Sequence, residues 1–523
     1  MIPDTLPALL AQRINNPAPA LLDRGRPVSY RELADASARI AQGLRKLGVA
    51  AGDCVALWLP NTPAWLAAFF GCAQLGAIAV SVNTRFRSHE LADILQRSRA
   101  RVLLFWPEFK GIDFSGILAA CDPQALAALQ SVIVYGESGA QVPAAVLGKP
   151  AHAYGALAAS EPLDGSAAAP DAGCAIFTTS GTTKAPKFVL HDQRTVLRHA
   201  FDVVQGFGID GKSALLLAPP LCGVFGFCGA LAALAAGRPV VMAPTWNAED
   251  AARAIVAQRI THAIGTDEAC AQLLDAGADF SSLRFFGYAA FNPAQGDIVQ
   301  RADARGLKLV GLYGASEIQA LFARQDERAP AAERVQGGGR PVSEAARVRV
   351  RDPESGQLLA HGAQGELEFL APGSRMAGYH GNPAATREAF TEDGYYRSGD
   401  LGSTLADGRF LFLARMGDAL RLGGFLVSPA EIEEVVQEAP GIAACQVVGV
   451  TSGKGLVPVA FVVLQNGAAL DEAAAIAHVA SRLARYKVPR RVVPLDAFPV
   501  TPGANATKIQ KGKLREMAEA LLH

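Results

Sequence analysis

Ile176-Phe-Thr-Thr-Ser-Gly-Thr-Thr-Lys-Ala-Pro-Lys187 is the stretch on which the reading of this chain turns. An apolar run ends at Phe177, and then five consecutive small or hydroxylated residues, Thr179 to Thr183, precede a lysine. Small residues let backbone N–H groups curl around an anion, hydroxyls add donors, and lysine supplies positive charge. Holding a polyphosphate needs those three things, although a polar surface loop has the same composition. The stretch is not of the Walker type, because Pro186 stands before Lys187 and no Ser or Thr follows it to hold magnesium.

On either side of this stretch, up to about residue 320, strand-like and helix-like runs alternate. Ser29-Tyr-Arg-Glu32 has the form of a capping box and opens a helix that closes at Gly48. CVALWLP from Cys54 reads as a strand, Thr62-Pro63 as a helix start and AIAVSVN from Ala77 as another strand. Val102–Trp106, Val132–Tyr135, Pro239–Ala243, Leu283–Tyr288 and Leu307–Leu312 read as further buried strands. Such alternation predicts parallel sheets covered on both faces. From about residue 335 glycines multiply and the β-like segments shorten (RVRVRD, GELEFL, and a hairpin around Asp407-Gly408). After Arg415 a block of mixed helices and strands with a lysine-rich end predicts a small α+β unit.

Composition excludes several functions. Lys+Arg and Asp+Glu number 49 each, so there is no basic excess to expect a nucleic-acid partner. Half the residues are apolar, enough to bury a core. The eight cysteines include no C-x-x-C pair, which argues against a zinc ribbon or a disulfide scaffold. The uncharged stretches Pro63–Asn83 and Ala214–Gly237 are long enough to span a bilayer. The first contains Gln74 and Gly76, and the second is broken by Pro219-Pro220 and three glycines, so both read as buried core rather than membrane spans. The expectation is a cytoplasmic enzyme; the sequence does not decide between monomer and homodimer.

The quoted stretch resembles the signature loop of the adenylate-forming enzymes, in particular the acyl-CoA synthetases. Six further segments match that family in order: Tyr313-Gly-Ala-Ser-Glu317; Gly365-Glu366-Leu367 with Met376-Ala-Gly-Tyr379 and Pro383; Tyr396-Arg-Ser-Gly-Asp400; Arg415 to Glu433; Tyr486-Lys-Val-Pro489; and Thr507-Lys-Ile-Gln-Lys511. The resemblance covers essentially the whole chain. It implies a large α/β unit over 1–414 with two doubly wound sheets, its stretch from about 335 to 414 a β-rich, barrel-like subdomain. A hinge at 415–418 and a small mobile α+β unit over 419–523 would follow.

The resemblance also implies ATP, Mg²⁺ and coenzyme A, and assigns residues. Thr179, Ser180, Gly181, Thr182, Thr183 and Lys187 would hold the β- and γ-phosphates, and Glu317 would bind the metal, a hard cation that prefers carboxylate oxygen. Tyr313 would stack on adenine, Gly311 would keep that pocket narrow, and Ala289, Gly314 and Ser316 would complete it. Asp400 and Arg415 would contact the ribose. Lys508 would be the catalytic lysine of the first step, with Glu317 and Lys187 beside it; the glycine usual before that lysine is Thr507 here.

Two further groups follow from the resemblance. The hinge position, commonly Asp or Lys, is Gly417, and Gly423-Gly424 would let backbone approach the CoA pantetheine. Arg421 and Leu426 stand where the family often has Lys and a polar or basic side chain. The acyl pocket would be formed by Gly223, Phe225, Phe227, Gly287 and Tyr288. Gly223 replaces a histidine common in the family, and no acid occurs from Leu221 to Ala236 to pair with an α-amino group. The expectation is therefore ATP-dependent activation of an apolar, fatty or aromatic carboxylate followed by transfer to CoA. A fatty acyl-AMP ligase that loads a carrier protein and a non-catalytic nucleotide-binding relative are the rivals.

Overall fold

The capping box forms as the sequence predicts. Glu32 N–H donates to Ser29 Oγ at 3.1 Å and Ser29 N–H donates to Glu32 Oε2 at 2.7 Å, starting the helix Tyr30–Lys46. Gly48, at φ +80°, follows its end. Thr62 caps Pro63–Leu75 through the Trp65 N–H, and left-handed Gly76 ends that helix before the strand Ile78–Ser81. The second uncharged stretch divides into the strand Leu215–Leu217 and the helix Val224–Ala235. No described helix is long and apolar enough to cross a membrane.

The structure is a computed structural model that describes residues 2–136, 142–179, 186–289, 298–353, 355–416, 420–423, 425–427, 429–452, 455–501 and 508–522. One sheet runs parallel through Ile78–Ser81, Cys54–Trp58, Val102–Phe105 and Ser131–Val134, with Gly173–Thr179 joining Ile78–Ser81 in parallel and Lys187–Asp192 added antiparallel. In the other, Val240–Met242, Leu215–Leu217, His262–Thr266, Phe285–Ala289 and Leu309–Tyr313 are parallel neighbours. That sheet continues through Ala323–Arg324 and Gly337–Pro341 into the antiparallel strands Phe410–Arg415, Tyr396–Thr404, Gly365–Leu370 and Arg347–Arg351. The β-rich region is thus hydrogen-bonded onto the end of a parallel sheet.

The largest apolar cluster lies between the two parallel sheets, where Pro63–Leu75 and Val224–Ala235 are buried on nearly every side. Their all-round apolarity, which resembled membrane spans, reflects this double burial. The C-terminal segment builds a three-stranded sheet, Ile442–Ser452, Gly455–Leu464 and Arg491–Pro494, flanked by Pro429–Gln437, Glu472–Arg482 and Lys511–Leu522. It has its own apolar clusters. All eight cysteines are free thiols and buried.

Candidate active site

The carboxyl ends of parallel strands are where open α/β sheets bind ligands, and Tyr313, Glu317, Lys187 and Asp400 come together near such an end. The strand Leu309–Tyr313 delivers Tyr313 against the ring of Phe369, centroids 5.1 Å apart and 28° between planes, with Phe410 edge-on at 5.1 Å. The Tyr313 hydroxyl donates to Asp400 Oδ2 at 2.6 Å, joining residues 87 apart in sequence. Asp400 N–H donates to Ser398 Oγ at 3.0 Å, and Asp400 lies directly opposite Arg415 in the strand pair. Asp400 is 3% exposed. A buried carboxylate oriented by a phenol suits acceptance of hydrogen bonds from a diol. Arg415 is described in its backbone alone.

The phosphate loop closes a hairpin: Thr179 pairs with Lys187 across the strands Gly173–Thr179 and Lys187–Asp192. Ser180, Gly181, Thr182 and Thr183 lie outside the described residues. Lys187 Nζ sits 4.7 Å from the centre of the Tyr379 ring, a cation–π contact. The Tyr379 hydroxyl donates to Glu317 Oε1 at 2.8 Å. Lys187, Tyr379 and Glu317 therefore form one group four residues beyond Tyr313. Tyr379 lies in a recognised motif yet received no role from the sequence, because only the pairing of Gly378–Tyr379 with Lys187–Asp192 brings it here.

Among the described residues no group of three or more His, Cys, Asp and Glu is placed to hold a metal ion. A single carboxylate at Glu317, with Oε1 oriented by Tyr379, fits a magnesium ion that takes its remaining ligands from substrate phosphates and water.

Glu317 rides on the short turn Ser316–Ile318, and two buried histidines hold carbonyls at its start and just beyond its end. His191 Nε2 donates to the Ser316 carbonyl at 2.8 Å and His199 Nε2 to the Ala320 carbonyl at 2.6 Å. A carbonyl only accepts, so both rings carry their proton on Nε2. Burial lowers both imidazoles to about 4 despite those bonds. Gly314 and Gly311 are glycines for close packing. A Cβ on Gly314 would stand 2.7 Å from Ala320 Cα, and one on Gly311 would stand 2.1 Å from the Gln336 carbonyl oxygen. The space beside Gly311 is thus filled by protein backbone, which corrects its expected part in narrowing a pocket.

The acyl-pocket expectation needs correction at two positions. Side chains alternate along Phe285–Ala289. Gly287 faces Leu312 on the inner side, whereas Tyr288 packs with Phe286 in the outer cluster and donates its hydroxyl to the Val335 carbonyl at 3.1 Å. Phe227 is 1% exposed, with its ring among Trp65, Phe69 and Phe177, so it serves the core. Phe225 is half-buried at the edge of that core, and Ala289 is half-buried at its strand end. Gly223 precedes the helix Val224–Ala235, and a Cβ there would meet only the Pro220 carbonyl oxygen, at 3.6 Å. Room exists at that point for a larger side chain or for substrate.

In the C-terminal unit, Gly423 is exposed at φ +56° and its missing Cβ would stand 2.8 Å from Tyr486 Cβ. Gly417 and Gly424 lie outside the described residues. Lys508 is described in its backbone, which pairs with Thr501, and the helix Lys511–Leu522 anchors it through buried Leu514 and Ala518. The unit meets the rest of the chain through Lys487, whose ammonium binds Glu90 Oε1 at 2.6 Å and Glu431 Oε1 at 2.5 Å. Burial alone would lower the lysine; the two carboxylates outweigh it and raise it above its ordinary value. The sequence offered Tyr486-Lys-Val-Pro489 as a motif without this partner set.

The AMP-binding enzyme pattern matches residues 11–380, and the AMP-binding enzyme C-terminal domain pattern matches 431–504. The chain is 32% identical over 510 residues to a feruloyl-CoA synthase of Amycolatopsis sp, covering 96% of each. It is 33% identical over 513 residues to a 3-[(3aS,4S,7aS)-7a-methyl-1,5-dioxo-octahydro-1H-inden-4-yl]propanoyl:CoA ligase of Mycobacterium tuberculosis, covering 95% of each. A solved structure of o-succinylbenzoate CoA synthetase from Bacillus subtilis shares the fold, with TM-score 0.83 and 24% identity over 97% of this chain and 98% of that one. With Tyr313, Asp400, Lys187 and Glu317 assembled at one end of its sheets, the chain belongs to the AMP-binding enzymes, in the acyl-CoA synthetase branch of the adenylate-forming superfamily, and is an AMP-forming acid–thiol ligase.

Proposed function

We propose that the enzyme activates an apolar, fatty or aromatic carboxylate in two steps. A carboxylate oxygen attacks the α-phosphorus of ATP, the bond to the bridging oxygen breaks and pyrophosphate leaves. The CoA sulfur, its proton lost, then attacks the acyl carbon, and AMP departs with the electrons of the C–O bond. The barrier to the first step is negative charge meeting negative charge, so oriented cations and donors lower it.

The observation that carries this reading is the spacing of two built groups on one strand end. Tyr313–Asp400 offers an aromatic ring and a diol acceptor, and Lys187–Tyr379–Glu317 begins four residues on. Tyr313 with Asp400 would take adenine and ribose, and Thr179 and Lys187 with the loop 180–183 would take the terminal phosphates. Glu317 would hold magnesium, which neutralises phosphate charge when bound. Arg415 and the hinge 415–418, with Gly417, would let the small unit 419–523 bring Lys508 to the reacting oxygens and then Gly423 and Gly424 to the pantetheine. Gly223, Phe225 and Gly287 remain as the acyl-pocket candidates. The two relatives act, by their names, on ring-bearing acids, which together with the room at Gly223 supports a bulky acyl group.

Pyrophosphate release across short, medium and long fatty acids, benzoates and cinnamates, each with and without CoA, tests this. At least one apolar acid is expected to give pyrophosphate, and CoA to convert its adenylate to thioester. Adenylate that accumulates with every acid and never yields thioester refutes the second step.

A further inference from the structure

The turn that carries Glu317 is strained. Gln319 has φ +62° and ψ 152°, a region populated almost entirely by glycine, and Leu321 follows at φ +64°. Neither residue is glycine, so something must hold the backbone there. Gln319 Nε2 donates to the Thr195 carbonyl at 3.1 Å, and Cys228 Sγ reaches Gln319 Oε1 at 3.7 Å. His191 and His199 hold the Ser316 and Ala320 carbonyls on either side. Gly314 lets the start of the turn close onto Ala320 and Leu321. Three of the four clamping groups (His191, Thr195 and His199) come from the strand Lys187–Asp192, the second strand of the phosphate hairpin, and from the helix Gln193–Gly206 that follows it.

We infer that His191, His199 and Gln319 are positioning residues that fix the Glu317 carboxylate relative to the phosphate hairpin, so that metal and triphosphate are met in one prearranged geometry. The inference rests on the proposed role of Glu317. Its physical basis is that strain persists only where surrounding contacts over-determine it, and backbone dipoles clamped by neutral, buried donors are hard to reorganise. Releasing a clamp lets the turn relax toward an unstrained conformation and carries Glu317 away from the position that Tyr379 defines. Each of the three touches backbone or a neighbouring side chain, and through the turn acts on Glu317.

Calorimetric titration of ATP into the full-length protein, with and without magnesium chloride and without any carboxylate, tests this. Magnesium is expected to tighten ATP binding to the wild type. Glu317→Gln should abolish that increment. His191→Leu, which strands the Ser316 carbonyl, should lose on the order of ten-fold of it while metal-free ATP affinity stays within about two-fold. His191→Gln places an amide donor near the Nε2 position and should restore most of the increment. Gln319→Ala removes a clamp without opening the core beside His191, and it decides the matter if His191→Leu fails to fold.

A wild-type increment in both His191→Leu and Gln319→Ala overturns the inference. So does an equal loss of ATP affinity with and without magnesium, the signature of general damage, and so does a wild type with no increment. Failure of the function proposed above shows separately, as absent pyrophosphate or thioester beside intact magnesium-dependent ATP binding.

Discussion

The turn Ser316–Leu321 and the attachment of the C-terminal unit are held in opposite ways. The turn is clamped by neutral hydrogen bonds from buried histidines and by backbone packing against Gly314. The unit is joined to the rest of the chain by an ion cluster in which Lys487 bridges Glu90 of the helix Ser88–Ser98 and Glu431 of the helix Pro429–Gln437. A neutral clamp in a packed interior resists opening, since breaking it leaves polar groups with neither protein nor water. A bridging ammonium can part from one carboxylate and remain paired with the other. The difference teaches that the two halves of the site need different mechanics: in the proposed cycle Glu317 stays in one place while Lys508 arrives and leaves.

The contrast breaks first at Lys508. Lys508→Ala is expected to lower adenylate formation by about 10²- to 10³-fold, the scale of losing one charge-stabilising group. Thioester formation from supplied acyl-adenylate should survive, because in the proposed cycle Lys508 serves the first step alone. Normal pyrophosphate release by this variant removes Lys508 from the first step.

Lys487→Met tests the attachment. It leaves Glu90 and Glu431 buried without their cation, which costs about 3–5 kcal/mol at a buried pair. The expected outcome is release of the C-terminal unit, seen as an increased radius of gyration in solution scattering with the melting of the large unit unchanged. Adding Glu90→Gln to this variant should recover much of the docking by removing an uncompensated charge. No change in scattering in the single variant would show that other contacts hold the unit.

The neutral clamp has the smallest expected effect on turnover and shows itself instead in the pH dependence of stability. His191, His199 and His262 are buried, and burial lowers each to about 4 from an ordinary value near 6.5. Below about pH 6.5 the unfolded chain takes up protons that the native state refuses, so stability rises with pH between those two values. Each histidine contributes about 3 kcal/mol at neutral pH that is lost by pH 4. Denaturant melts across pH 4–7 should show this slope, and exchanging His191 and His199 together for Gln should make it shallower. An unchanged slope would mean that the two rings titrate alike in the native and unfolded states.

Local signals placed much of the fold. The capping box at Ser29–Glu32, the strand Gly365–Leu370 and the break of Ala214–Gly237 at Pro219-Pro220 could be read because short-range hydrogen bonding and turn chemistry decide them. Tyr313, Asp400, Lys187 and Glu317 were legible as motif members, and the fold brings them together in two groups. Tyr288 and Phe227 were misassigned for a definite reason. An aromatic residue in an apolar run looks the same whether it faces a ligand or a neighbouring helix, and only strand register put Tyr288 on the face opposite Gly287.

By itself, then, the sequence determined the family, the order of strands and helices and the identity of the chemical groups, since these depend on residue type and on spacing along the chain. Tertiary structure alone decided that Tyr379 orients Glu317, that His191 and His199 clamp its turn, and that Lys487 meets Glu90 across 397 residues. Those facts depend on distances between segments remote in sequence, which are set by the packing of whole sheets rather than by any local preference.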